Sequence, residues 1–290
     1  MIYRTLLGGH RMPALGFGTW ELEGDVCRQA VETALEVGYR HIDTAVRYGN
    51  EAAVGAALAA SGVPREALFV TTKVWHDSLT APAVRASAEA SLGCLGLDYV
   101  DLLLVHWPNP EVPLEETLEA FAALQAEGLA RSIGVSNFPV RLIEQAVDAI
   151  GARVATNQVE FHPFLDQSRL HAALEARGIV LSAYQPLAGS RALSEPVVVE
   201  IAAARGRTPA QIVLRWILQQ EGTAAIPRSR NPVNIRRNFE IFDFTLSTAE
   251  MGRISRLRGE RRFLTPSFAP EWDDGDASTD PTPKRSARRM

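Results

Sequence analysis

Asp43 and Tyr48 in HIDTAVRYGNE, Lys73 in LFVTTKVW and His106 in VDLLLVHW supply a carboxylate, a phenol, an amine and an imidazole. Together these groups could give a proton to a carbonyl oxygen while hydride reaches the carbon. A free phenol has a pKa of about 10, and a nearby cation typically moves such a group by about 1 to 3 units, so Tyr48 beside Lys73 is expected at about 7 to 9. That range suits a general acid. Asp43 would keep a buried Lys73 charged, and His106 would donate a hydrogen bond to the substrate oxygen. Singly, each residue has a commoner structural meaning: a rim lysine, a packed tyrosine, a core histidine. Four complementary types at the ends of neighbouring strands point instead to a site.

The elements that must position them follow from hydrophobic periodicity. Short apolar runs predict strands near residues 15–18, 40–44, 68–74, 99–106, 131–135, 154–160, 179–184 and 223–227, with amphipathic helical stretches between them. Eight strands each followed by a helix is the pattern of an α/β (β/α)8 TIM barrel, whose active sites lie at the C-terminal strand ends. VDLLLVHW is apolar almost throughout, as expected of a parallel strand covered on both faces. IYRTLLGGHRMPALG predicts an N-terminal hairpin turning at Gly8 and Gly9 and closing the barrel floor. PVVVEIAAARG followed by TPAQIVLRWILQQ predicts an extra helix before the eighth strand, the second helix capped by Thr208 with Pro209 behind it.

The chain has 290 residues, 46% of them apolar, a net charge of -4 and a pI near 5.9. One domain over 1–272 is expected, with no basic excess to bind nucleic acid or an anionic membrane. Cys27 and Cys94 form no CxxC or Cys/His cluster, so neither a disulfide framework nor a metal site is expected. The absence of a leader-like or spanning apolar run predicts a cytoplasmic protein, read as a monomer. From residue 273 the composition turns to Pro, Asp, Ser and Arg, which predicts a disordered tail carrying Lys284, Arg285, Arg288 and Arg289. Phe268 and Trp272, just before it, are expected to fold back over the barrel mouth.

GYRHIDTAVRYGNE, TTKVW, LLLVHWP, IGVSNF, TNQVEFHPF, AYQPLAG and IPRSRNPVNIRRNF together resemble the aldo-keto reductase family over nearly the whole chain. The short loops and the ending PSFAPEWD are similar to its bacterial 2,5-diketo-D-gluconate reductases. The resemblance implies reduction of a small-molecule ketone or aldehyde with NADPH, NADH being possible. In it Tyr48 is the proton donor, Asp43 and Lys73 support it, and His106 positions the carbonyl. Trp20, Trp75 and Trp107, after strand ends one, three and four, would wall the substrate pocket with Tyr48 and His106.

A Rossmann cofactor site is disfavoured, because GFGTWE stands where GxGxxG would be. A barrel offers an anion site at its last two loops instead, filled here by PLAGS at 186–190 and PRSRNP at 227–232. By resemblance, Thr19, Trp20 and Asp43 lie near the nicotinamide, Ser136, Asn137 and Gln158 hold its carboxamide, and Tyr184 stacks on the ring. Pro186, Leu187, Ala188, Gly189 and Ser190 would border the pyrophosphate. Ile226, Pro227, Arg228, Ser229, Arg230, Asn234, Arg237 and Asn238 would surround the adenosine end. Asn234 replaces a family Arg that clamps the 2′-phosphate, which predicts weakened discrimination against NADH; Arg236 shares this basic segment. Two other readings remain: a glycosidase-type barrel using Asp43 and Glu160, and a nucleotide-binding regulatory subunit of the same fold.

Overall fold

The computed structural model describes residues 1–273. Strands β1 (Tyr3–Thr5) and β2 (Arg11–Pro13) pair antiparallel and turn through Gly8 and Gly9, as the sequence predicts. The chain then alternates β3 (Phe17–Gly18), α1 (Gly24–Val37), β4 (His41–Asp43), α2 (Glu51–Ala60), β5 (Phe69–Val74), α3 (Ala81–Leu95), β6 (Val100–Val105) and α4 (Leu114–Ala126). It continues with β7 (Ala130–Ser136), α5 (Val140–Glu144), β8 (Thr156–Glu160), α6 (Ser168–Glu175) and β9 (Val180–Tyr184). After these come α7 (Pro196–Arg205), α8 (Pro209–Leu218), β10 (Thr223–Ala225), α9 (Pro232–Phe239) and α10 (Thr248–Ser255).

Strands β3 to β10 form one parallel sheet in sequence order. Its two edges meet, because Gly16 N donates to Ala225 O at 2.9 Å, Ala225 N to Ala14 O at 2.8 Å, and Gly18 N to Pro227 O at 3.0 Å. The sheet is therefore a closed (β/α)8 barrel, and closure leaves no edge strand unpaired.

Side-chain alternation decides what the barrel encloses. Leu102 and Leu104 of β6 point inward, packing with Phe69, Ala155, Val180 and Ala224 and with Leu6 and Met12 from the hairpin side. The hairpin thus plugs the floor. Leu103 and Val105 point outward into the core shared with the helices. The same parity carries Asp43, Lys73 and His106 inward: Lys73 pairs with Leu104, Asp43 with Thr71 opposite Leu102, and His106 stands two residues beyond Leu104, at the opposite end from the plug. A Leu104→Ala change in this layer should cost about 2–5 kcal/mol.

Local signals hold at several termini. Gly38 ends α1 in a left-handed conformation at φ 117°, and its N–H reaches Ala34 O and Leu35 O. Thr208 and Gln211 form a capping box on α8, with Pro209 in its first turn, and α7 is the extra helix. The helix expected after β7 is shorter than its periodicity, because α5 passes into a π-type turn over Gln145–Ala149. Beyond α10, Phe268 stacks on His76 at 4.0 Å between ring centroids and meets Trp75 and Trp107 edge-on at 5.6 and 5.7 Å. Trp272 lies against Trp107 at 6.1 Å, so both aromatics fold back as expected. Asp273 accepts a hydrogen bond from Val140 N at 2.7 Å, fixing the start of α5. The tail with Lys284, Arg285, Arg288 and Arg289 lies outside the described residues.

Candidate active site

Lys73 is fully buried on β5, an arrangement that would be costly without compensation. Its Nζ donates to Asp43 Oδ1 at 2.6 Å, Thr44 O at 2.7 Å and Tyr48 OH at 3.2 Å, using all three protons. Burial works against the ammonium, but Asp43 and then Tyr48 outweigh it and hold its pKa above the ordinary lysine value. Asp43 keeps its second oxygen on Gln158 Nε2 at 2.7 Å. Both carboxylate oxygens are therefore engaged and the group is held in place.

Tyr48 ends a 3₁₀ turn, Val46–Tyr48, whose last N–H groups bond back to Ala45 O and Val46 O. Asn50 clamps the base of that loop: it accepts from Thr44 Oγ1 at 2.7 Å and donates to Thr19 O and Leu22 O, both at 2.8 Å. The phenol departs from the sequence expectation. Desolvation raises its pKa above 10, with the Lys73 ammonium pulling down and the Asp43 carboxylate pushing up. Tyr48 thus holds its proton at neutral pH, and the Lys73 ammonium would lower the cost of releasing it.

The His106 ring meets the Tyr48 ring edge-on at 5.7 Å. Its backbone is fixed on both sides, the N–H on Val74 O at 2.9 Å and the carbonyl under Asn137 Nδ2 at 3.0 Å. Burial first, then the charges of Lys73, His76 and Arg47, hold the imidazole pKa well below 6.5, so the ring is neutral. Nδ1 is buried without a partner among the described residues. A neutral ring carries one proton, and on Nε2 that proton can reach an incoming oxygen.

These groups open into a cavity of about 960 Å³ whose lining includes Asp43, Tyr48, His106, Trp20, Trp75, Trp107 and Phe268. It continues past Ser136, Asn137, Gln158, Tyr184, Pro186, Leu187, Gly189 and Ser190. Its far wall includes Ile226, Pro227, Arg228, Ser229, Arg230, Asn234, Arg237 and Asn238. Three residues singled out from the sequence stand behind this lining: Lys73, Ala188 and Thr19, whose hydroxyl donates to Asp43 O at 3.0 Å. Arg236 faces α1 instead, 3.7 Å from Glu36. All five non-glycine residues with positive φ among those described, Glu21, Asn137, Gln185, Ala188 and Ser190, lie along this cavity or directly beneath it. Strain of this kind persists where surrounding structure enforces it, which marks the mouth as built for more than packing.

The sequence reading missed several contributors. Asn50 and Glu21 gave no signal beyond their motifs, and Arg47 was read only as part of one. Glu160, read as a glycosidase acid, is fully buried and accepts from Phe263 N at 2.7 Å, Leu264 N at 2.9 Å and His162 Nε2 at 2.9 Å. It tethers the segment that carries Phe268. With Asp43 committed to Lys73 and Gln158, neither carboxyl is placed for glycoside cleavage.

The residues also suit a nicotinamide nucleotide. Gln158 Oε1 has no protein partner among the described residues, while its Nε2 is held by Asp43. Ser136 Oγ donates to Gln158 O at 2.7 Å, and Asn137 Oδ1 accepts from Tyr184 OH at 2.8 Å, so the three polar side chains and the Tyr184 ring are mutually locked beside Asp43 and His106.

Comparison with known proteins agrees with this geometry. The sequence profile of the aldo/keto reductase family matches residues 14–258. The chain is 44% identical over 266 residues to the methylglyoxal reductase DkgB of Escherichia coli O157:H7, covering 90% of this chain and 99% of that protein. It is 46% identical over 261 residues to an aldo-keto reductase of Mycobacterium tuberculosis, covering 89% and 92%. A crystal structure assigned provisionally as 2,5-diketo-D-gluconic acid reductase B superposes with a TM-score of 0.91 at 40% identity, covering 94% and 98%. The aldose reductase of Schistosoma japonicum superposes at 0.89 with 33% identity, covering 94% and 100%.

Proposed function

We propose, from the premise that the chain belongs to the aldo/keto reductase family and is a carbonyl-reducing oxidoreductase, that it uses NADPH to reduce a 2,5-diketo-D-gluconate or methylglyoxal type of substrate. The observation that carries this reading is the buried Asp43, Lys73 and Tyr48 cluster set against a neutral His106 at the cavity. Ser136, Asn137, Gln158 and Tyr184 would hold the nicotinamide, residues 186–190 the pyrophosphate, and Arg228, Arg230 and Arg237 the adenosine phosphate. Bound there, the reduced nucleotide supplies hydride to the carbonyl carbon.

The remaining work falls to the chain. His106 Nε2 donates to the carbonyl oxygen and orients it, stabilising the charge that develops there. Tyr48 OH then gives that oxygen its proton, so carbonyl plus hydride plus proton becomes alcohol. Lys73 stabilises the phenolate left behind, and Asp43 keeps Lys73 charged through the cycle. Trp20, Trp75, Trp107 and Phe268 exclude water and strengthen each of these interactions.

Asn234 in place of the family Arg supports only a modest preference for NADPH over NADH. The free thiols of Cys27 and Cys94 support a cytoplasmic location, with residues 1–272 acting as one catalytic domain in a monomer. A steady-state comparison of NADPH and NADH across 2,5-diketo-D-gluconate, methylglyoxal and simple aldehydes tests the proposal. Tight NADPH binding without turnover of any carbonyl would favour the regulatory-subunit reading instead.

A further inference from the structure

Arg47 immediately precedes Tyr48, in the 3₁₀ turn Val46–Tyr48, and its side chain lines the cavity. Its guanidinium carbon stands 5.4 Å from the centroid of Trp75, and Trp75 meets the His106 ring at 5.0 Å. The cation is thus parked on the wall that also bears the carbonyl-orienting imidazole. Stacking on an indole face holds a guanidinium in place while leaving its N–H groups free.

The other charges along the cavity are differently committed. Asp43 is neutralised by Lys73, and Arg228 is paired with Glu21 at 2.5 Å. Arg230 and Arg237 stand on the chain after β10. Arg47 has neither a carboxylate partner nor a hydrogen-bond acceptor among the described residues. A chain of net charge -4 does not attract anions at long range, and salt screens its overall field beyond about 10 Å, so a cation beside the reacting centre acts locally.

We propose that Arg47 selects carbonyl substrates that bear a carboxylate, which its planar fork would grip while the carbonyl oxygen sits at Tyr48 and His106. This rests on reading the cavity as the site of carbonyl reduction. A charge-assisted contact of this kind is typically worth about ten- to a hundredfold, and partial exposure puts Arg47 near the lower figure.

A matched pair of substrates isolates the effect: 4-oxobutanoate and its methyl ester present the same aldehyde with and without the charge. In the full-length wild type with NADPH, kcat/KM should favour the acid over the ester. Arg47→Gln should lower that ratio about tenfold, through the KM of the acid, and Arg47→Lys should recover part of it. Raising ionic strength should erode the wild-type ratio. A ratio unchanged in Arg47→Gln, or equal losses on acid and ester, would overturn the assignment while leaving the reductase reading intact. If the wild type oxidises NADPH with neither compound nor with any other carbonyl, the reductase reading itself fails and this inference with it.

Discussion

Replacing Lys73 by Met removes an ammonium that lies 2.6 Å from Asp43 Oδ1 and 3.2 Å from Tyr48 OH. Two effects follow, and they can be separated. The first is structural: Asp43 is only 3% exposed, and loss of its cation leaves a buried carboxylate with one remaining side-chain donor, Gln158. Breaking such a pair from one side typically costs about 3–5 kcal/mol. The second is catalytic. At 3.2 Å and an effective dielectric constant of about 20, a unit charge on the ammonium stabilises a phenolate by about 5 kcal/mol. Without it kcat should fall about 10²- to 10⁴-fold. The double variant Lys73→Met with Asp43→Asn removes both charges, so urea denaturation should show most of the lost stability restored, whereas single-turnover reduction should stay slow. Recovery of the rate along with the stability would show that Lys73 serves packing rather than proton transfer.

Other outcomes follow from the same geometry. With the imidazole held well below pKa 6.5 and the phenol above 10, neither group changes charge between those values, so kcat/KM should be flat from pH 6.5 to 10 with chemistry rate-limiting. A limb near pH 7 to 8 would contradict both directions. Glu21→Gln should release Arg228 and tighten NADPH, but not NADH, by up to about fivefold in a fluorescence titration, the scale of one exposed ion pair. Tightening both nucleotides equally would remove Arg228 from the 2′-phosphate. A thiol reagent should modify the exposed Cys94 in the native protein and Cys27 only after denaturation, because burial pushes Cys27 up to about 11. Rapid native labelling of two thiols would contradict that packing.

Periodicity reveals the barrel because β-strand and helix alternation is a local property, and each of the eight strands falls where an apolar run predicts it. The parity of His106 is also local, since a side chain two residues beyond the inward Leu104 must itself point inward, and strand register extends it to Lys73 and Asp43. What the sequence hides are quantities set by distant neighbours. Burial at Tyr48 outweighs the pull of Lys73, so the direction of the phenol pKa depends on a cavity assembled from loops far apart in the chain. Glu160 looks like a free acid at a strand end until residues 263 and 264, far along the chain, occupy both its oxygens. The Glu21 to Arg228 pair likewise joins loops that only barrel closure brings together.

Delivery of the proton by Tyr48 is the step on which the proposed mechanism depends. Tyr48→Phe keeps the ring that packs against Trp20 and His106 and deletes only the hydroxyl 3.2 Å from Lys73 Nζ. Stopped-flow reduction of methylglyoxal or 2,5-diketo-D-gluconate, with NADPH binding followed in parallel, should show the chemical step slowed about 10²- to 10⁴-fold at an essentially unchanged NADPH dissociation constant. A Tyr48→Phe variant that reduces the carbonyl at the wild-type rate would contradict it.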